Sequence, residues 1–258
     1  MNEAVDRRVL GAFRVVDAIT GNSVRDPLTV STAPLTVRPN RSAIYVVFNA
    51  PGMEKLTDEF DPPAWQDPSN FEVSIQDPGL RYLPRRANVQ APRKLPIPVD
   101  PATVLADPTV VFNPQEVKLF PSPAAVLSPN WAVIRVSIVQ SGVTTRAGLA
   151  WAVVQATRTD NNALLATTVS DKRGEALLAI PGLGPEISGS DSGAVTKATV
   201  GITLTAWFDP SITNQPAGWI PNPDDVLNNL TSPPLKKGSF NTQIGPGQTV
   251  SQSLAISL

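Results

Sequence analysis

Apolar and polar positions alternate in short runs along most of this chain. In "FEVSIQD" (71–77), Phe71, Val73 and Ile75 fall on one face and Glu72, Ser74 and Gln76 on the other, the period-2 signature of a half-buried strand. "WAVIRVSIVQ" (131–140) sets Trp131, Val133 and Arg135 against Ala132, Ile134 and Val136. β-Branched and aromatic residues predict further strands at 8–17, 28–33 and 42–50, and "KATVGITLTAWFD" (197–209) and the last stretch, "QTVSQSLAISL", read the same way. The clearest stretch is 149–184, where runs of Ala, Val and Leu are separated by Asp160-Asn161-Asn162 and by Asp171-Lys172-Arg173-Gly174. It reads as strand, turn, strand, turn, strand. Only "PDDVLNNL" (223–230) suggests a turn of helix, within a tail that otherwise reads as loop.

Proline sharpens this picture. Its 27 residues break helix interiors and central strands alike, so they belong in connections and at strand ends. Six of them fall in residues 91–115, which predicts a stiff, extended boundary between two domains. The expected organisation is a β-sandwich over 1–92, a proline-rich linker over 93–115 and a second β-sandwich over 116–258. The halves share a rhythm of strand, glycine turn, strand, strand, Pro-Gly, so an internal repeat is expected.

Composition narrows the chemistry. The chain has no Cys and no His, so thiol chemistry, Cys-based metal sites, imidazole general bases and the Ser-His-Asp triad are excluded. A net charge of −1 with 17% charged residues supplies no field to attract nucleic acid. No apolar run approaches the roughly 20 residues of a membrane span. "MNEAVDRRVLGAF" has no signal-peptide core, and a cytoplasmic protein, one that could be built into a particle, is expected. No catalytic residue, metal or cofactor is called for.

Residues 148–156, "GLAWAVVQA", and 165–182, "LATTVSDKRGEALLAIPG", resemble carboxypeptidase regulatory-like domains. Their pattern is an AGA-x-V-x-A strand, a T-x-T-D-x-x-G turn and an x-L-x-x-[IVL]-P-G strand. Here Ser170-Asp171 stands where Thr-Asp is usual and Ala179 where an aromatic often sits. The resemblance covers about 131–184, with an echo at 10–52. It implies an all-β fold of two Ig-like or transthyretin-like sandwiches of about seven strands each, and is nearly silent on activity. A looser resemblance, carried by "RYLPRR" (81–86) and "LFPSP" (119–123), is to accessory proteins of phage-tail-like contractile injection particles. It implies a non-enzymatic structural part, homo-oligomeric within the assembly, that docks onto protein partners such as tube, sheath or cap subunits. A secreted β-sandwich that binds a protein or glycan surface is the rival from another class. A carboxylate-based hydrolase is a third, and no spacing proposes its acid pair.

Candidate interface residues follow from charge and aromatic placement. Arg81, Arg85, Arg86, Arg93 and Lys94 are five cations with no acid between them, either a docking strip for an acidic surface or an edge strand guarded by charge. "DEFD" (58–61) with Asp67 reads as a solvated acidic loop, since the alternating ligands of a calcium loop are missing. A neighbouring copy's acidic loop could pair with the basic strip. Trp131, Trp151 and Trp207 are expected in the core; Trp65 and Trp219, in proline-rich loops, are expected interface anchors. Asp171 and Glu175 flank Gly174, and the turn explains Asp171 through its bonds to local amides.

Overall fold

A computed structural model describes residues 8–58, 66–94, 107–142, 147–183, 199–216, 218–232 and 234–258. The chain is all-β. It divides into two compact units, the first holding 1–17, 21–78 and 84–119, the second 18–20, 79–83 and 120–258. No helix among the described residues is long and apolar enough to cross a membrane.

The first unit contains β1 (Gly11–Asp17), β2 (Thr29–Ser31), β3 (Thr36–Pro39), β4 (Ile44–Asn49), a one-turn helix α1 (Glu54–Asp58), β5 (Ser69–Gln76), β6 (Arg85–Ala91) and β7 (Gln115–Leu119). The strands form two sheets, β3-β4-β1-β7 and β2-β5-β6. Alternation explains the core: Phe13 and Val15 of β1, Val73 and Ile75 of β5, Ala87 and Val89 of β6, and Val117 and Leu119 of β7 are all buried, each pair two residues apart and so on one face of its strand.

The second unit contains β8 (Ala132–Gln140), β9 (Val153–Arg158), β10 (Leu164–Val169), β11 (Glu175–Ile180), β12 (Val200–Phe208), a short 3-10 turn (Pro210–Asn214), α2 (Pro223–Leu227), β13 (Lys236–Ile244) and β14 (Thr249–Ile256). Its sheets are β10-β9-β12-β13 and β11-β8-β14. Inward residues of both sheets, among them Ile134, Ile138, Val154, Leu178, Ile202, Leu204 and Leu254, make one hydrophobic cluster, which is a sandwich core. Asn222 caps α2, accepting from the Asp224 N–H, with Pro223 in its first turn.

The two units repeat one pairing scheme. In each, the first strand runs antiparallel to the fourth and parallel to the seventh. The fifth lies antiparallel between the second and the sixth. They differ in the third strand: β3 pairs with β4, whereas β10 pairs with β9. Seven strands per unit match the expected sandwich.

Two sequence expectations change. The stretch expected as a 93–115 linker belongs, where described, to the first unit. Lys94 bridges Val110, and Gln115–Leu119 becomes β7, so the division falls between Leu119 and Phe120 rather than at residue 116. Proline did not prevent pairing because β7 is an edge strand whose register with β1 begins just after Pro114. The tail, expected as mostly loop, supplies β13. "KKGSFNTQI" lacks apolar alternation because only Ile244 of this edge strand is buried. The Gly/Ser loop "EISGSDSGA" (186–194) lies outside the described residues.

Candidate functional site

The five cations do not form one strip. β6 alternates, so Arg85 shares the inward row with Ala87, Val89 and Ala91 and is 2% exposed. Its guanidinium donates from Nη1 to the Lys118 carbonyl at 2.7 Å and from Nε to the Arg86 carbonyl at 3.1 Å. Arg93 keeps the same parity beyond the strand. It is 5% exposed, and its Nε donates to the Val110 carbonyl at 3.3 Å. Burial pushes its guanidinium below the ordinary value, against the pull of Asp107. Gly11 makes room for it, since a Cβ there would sit 3.1 Å from the Arg93 Cγ. Arg85 and Arg93 are therefore interior residues and not docking groups: a guanidinium can enter a sandwich where carbonyls take its protons. Arg86 is half-buried and pairs with Glu72 at 3.0 Å. Lys94 is exposed, its backbone held by Thr109 and Val111. Arg81, also exposed, belongs to the second unit and stacks its guanidinium over the Tyr82 ring, 5.6 Å from the centroid.

Parts of the two short stretches that carried the looser resemblance, 81–83 and 120–123, meet in the second unit. Tyr82 bridges Pro121 in antiparallel fashion. The Leu83 N–H donates to the Phe120 carbonyl at 2.9 Å, and the Ser122 N–H to the Arg81 carbonyl at 2.7 Å. Ser122 Oγ donates to the Leu80 carbonyl, also at 2.7 Å. Beneath this ladder Leu83 and Phe120 are buried in a second cluster with Val153 and Val169. Above it Leu80 is 76% exposed at φ +55°, and Val126, just past the ladder, is 97% exposed. Bonded backbone thus holds the Leu80 side chain out in water. Next to Val126 the segment 124–129 and the outward face of β8 enclose a half-open trough of about 320 Å3, with Trp131 and Arg135 on its lining.

Of the expected core aromatics, Trp207 is buried, with the Lys237 ammonium 5.6 Å from its ring centroid. Trp131 and Trp151 are only half-buried, Trp131 at the trough and Trp151 against the second cluster. Trp219 is half-buried in its loop. Trp65 and most of the acidic 58–67 loop lie outside the described residues; Asp67 is exposed. Among the described residues no three acids gather where they could hold a metal ion.

The Asp171 carboxylate is fully engaged by its turn. It accepts from the N–H groups of Arg173 at 2.7 Å and Glu175 at 3.0 Å, and from Arg173 Nε at 3.0 Å. Glu175 accepts from Ser137 Oγ at 2.9 Å. Ser170, wholly buried, donates to the Leu149 carbonyl and accepts from the Ala152 N–H, both at 2.9 Å. These polar groups join strands.

Fold and surface together define a protein of two β-sandwich units that presents apolar side chains from a bonded loop pair. No family model matches the chain, and no curated protein matches it. Among solved structures it is similar to the Bacillus anthracis TIE protein, at 10% identity and a TM-score of 0.27, over 96% of this chain and 34% of that one. It is similar also to a mutant of the shaft pilin SpaA from Lactobacillus rhamnosus GG, at 11% identity and a TM-score of 0.22, over 96% of each chain. The chain thus spans about a third of the length of the TIE protein. At such scores neither likeness carries an argument about fold or function.

Proposed function

We propose that this chain is a non-enzymatic assembly part, docking onto protein partners through the loop pair formed by 80–83 and 120–126. One observation carries the reading: Leu80 is 76% exposed on backbone held by three hydrogen bonds between 80–83 and 120–122, and Val126, 97% exposed, follows directly on the Ala125 N–H to Ser122 carbonyl bond. Mobile loops can turn aliphatic groups inward, but a bonded loop cannot, so the exposure of Leu80 is built in. Aliphatic side chains fixed outward are what an interface covers. The setting we favour is a phage-tail-like contractile injection particle with repeated copies of the chain, because 81–83 and 120–123, parts of the two stretches resembling those accessory proteins, form the bonded middle of this loop pair.

Leu80→Glu and Val126→Glu test the reading. Each should leave folding stability within about 0.5 kcal/mol of the parent, as exposed substitutions do. Each should also abolish co-sedimentation of the chain with particles from the host. Variants that still co-sediment, or a parent chain that never does, would count against it.

A further inference from the structure

Val133 occupies the row of β8 that faces away from the sandwich core, in register with Thr249 of β14, yet it is 7% exposed. The segment 124–129 and Trp131 stand over this row and leave the trough between themselves and the sheet. Ala125, Val126, Leu127 and Trp131 bring apolar side chains to a lining whose exposed surface is otherwise mostly polar, and Arg135 brings its single charge. Arg14, Arg86, Arg158 and Arg173 each meet a carboxylate, of Glu116, Glu72, Asp160 and Asp171 respectively. Arg135 instead rests on the Pro123 carbonyl through Nη1, at 2.7 Å. A guanidinium carries five N–H donors in a planar fork that matches a carboxylate, so Arg135 is anchored by one donor and keeps the rest for an acid.

Two further observations point to a peptide. In the parallel ladder of β8 and β14, Val133 N–H donates to the Gln248 carbonyl and Ser141 N–H to that of Ile256. Of the alternate residues, Thr249 on the lining and Ser251 then direct their backbone groups away from β8, where an extended segment can use them; further along, the Ala255 carbonyl faces Gly238 of β13. The size also suits a few side chains: about 320 Å3 is at the small end of ligand pockets, which run from roughly 300 to 1,000 Å3.

We infer that the trough receives an extended segment of a partner protein in which an aliphatic residue stands next to a glutamate or aspartate. The aliphatic side chain seats against Trp131 and Leu127, and the carboxylate takes the free edge of the Arg135 fork. This deepens the assembly reading by naming the partner's chemistry, and rests on it for the identity of the surface.

A titration that needs no particle tests it. The 15N-labelled full chain is titrated with the blocked peptide acetyl-Gly-Leu-Glu-Leu-Glu-Gly-amide, with its Gln-for-Glu counterpart, and with cellohexaose. Saturable shifts are expected at the Trp131 indole N–H and at the Val126 and Thr249 amides. Binding should weaken roughly two- to five-fold for the Gln peptide, the range of an exposed ion pair. In Arg135→Gln the preference for Glu over Gln should vanish, while binding of the Gln peptide stays at its parental strength, which shows that the variant is folded. Equal affinity for both peptides in the parent, shifts confined to other surfaces, no saturation at millimolar peptide, or cellohexaose moving the same signals would each overturn the inference. Co-sedimentation could fail while this titration succeeds, and the reverse, so the two ideas fall separately.

Discussion

At the residue scale the tightest constraint is a crossing of three backbone segments at the end of β8. Ile138 N–H donates to the Gly174 carbonyl at 2.8 Å, and Leu149 N–H to the Ile138 carbonyl at 2.9 Å. Two glycines allow this approach. A Cβ on Gly148 would lie 1.8 Å from the Arg173 carbonyl oxygen; one on Gly174, at φ +81°, would lie 2.6 Å from the Ile138 oxygen and 2.7 Å from the Leu149 nitrogen. Gly182 also has positive φ, +68°, but faces open space. Gly182→Ala should therefore cost only the left-handed backbone penalty, about 1 kcal/mol. Gly174→Ala must also displace backbone, and should cost about 3 kcal/mol or more. Urea unfolding of the two variants side by side checks this, and equal midpoints would refute it. The Asp171 to Gly174 turn was legible because Asp-x-x-Gly states its own chemistry. Gly148 was not, since the turn it crosses, at Arg173, is supplied by another part of the chain.

At the scale of elements, each sandwich must close the corner between its sixth and seventh strands, which belong to different sheets. The first unit closes it with side chains. Gln115 Nε2 donates to the Asn88 carbonyl at 2.6 Å, Gln115 Oε1 accepts from the Gln90 N–H at 3.2 Å, and Arg85 reaches Lys118. The second unit closes it by approach: a Cβ on Gly238 of β13 would meet the Ala255 carbonyl oxygen at 2.4 Å, and Gln252 Nε2 donates to Thr242 Oγ1 at 2.9 Å. Arg85→Ala should then cost about 3 kcal/mol, from a cavity plus a stranded carbonyl. Arg85→Met, which refills volume without the donor, should recover part of it. A match between Met and arginine would mean that the hydrogen bonds add nothing. The cation run concealed this role, although parity with Ala87, Val89 and Ala91 placed Arg85 inward. The turn at Asp107 makes a pH-dependent counterpart. Its carboxylate accepts from the Thr109 N–H at 2.8 Å and Thr109 Oγ1 at 2.7 Å, and the hydroxyl and amide hold it below its ordinary 3.8. A carboxyl that titrates lower when folded contributes fully above about pH 4 and loses that contribution as pH falls through its folded value. Protection of the Val111 amide, bonded to Lys94, should therefore drop on acidification and be less pH-sensitive in Asp107→Asn.

At the scale of the whole molecule, the rhythm of two sandwiches was legible in the sequence, but the ownership of segments was not. Residues 79–83 precede the proline-rich stretch, yet they complete the second unit. The reason is a pairing across some forty residues of chain, Tyr82 with Pro121, which alternation within either stretch cannot reveal. Its consequence is measurable. A chain cut to residues 120–258 keeps every strand of the second unit but loses Leu83, which is 8% exposed over Phe120, Val153 and Val169. It also loses the two backbone bonds from Leu83 to Phe120 and from Ser122 to Arg81. Burial of a leucine is worth about 1.5–3 kcal/mol and each net hydrogen bond about 0.5–1.5 kcal/mol, so the fragment should be less stable by about 2.5–6 kcal/mol. Hydrogen exchange at Val153 and Ala206, followed in the fragment and in the full chain, reads that difference within the second unit alone. Leu83→Ala in the full chain should reproduce the leucine share and leave exchange in β5 and β6 unchanged. If fragment and full chain protect Val153 equally, the ladder adds nothing to the unit's stability. Leu80 would then lose the fixed backbone on which its reading as part of a docking surface depends.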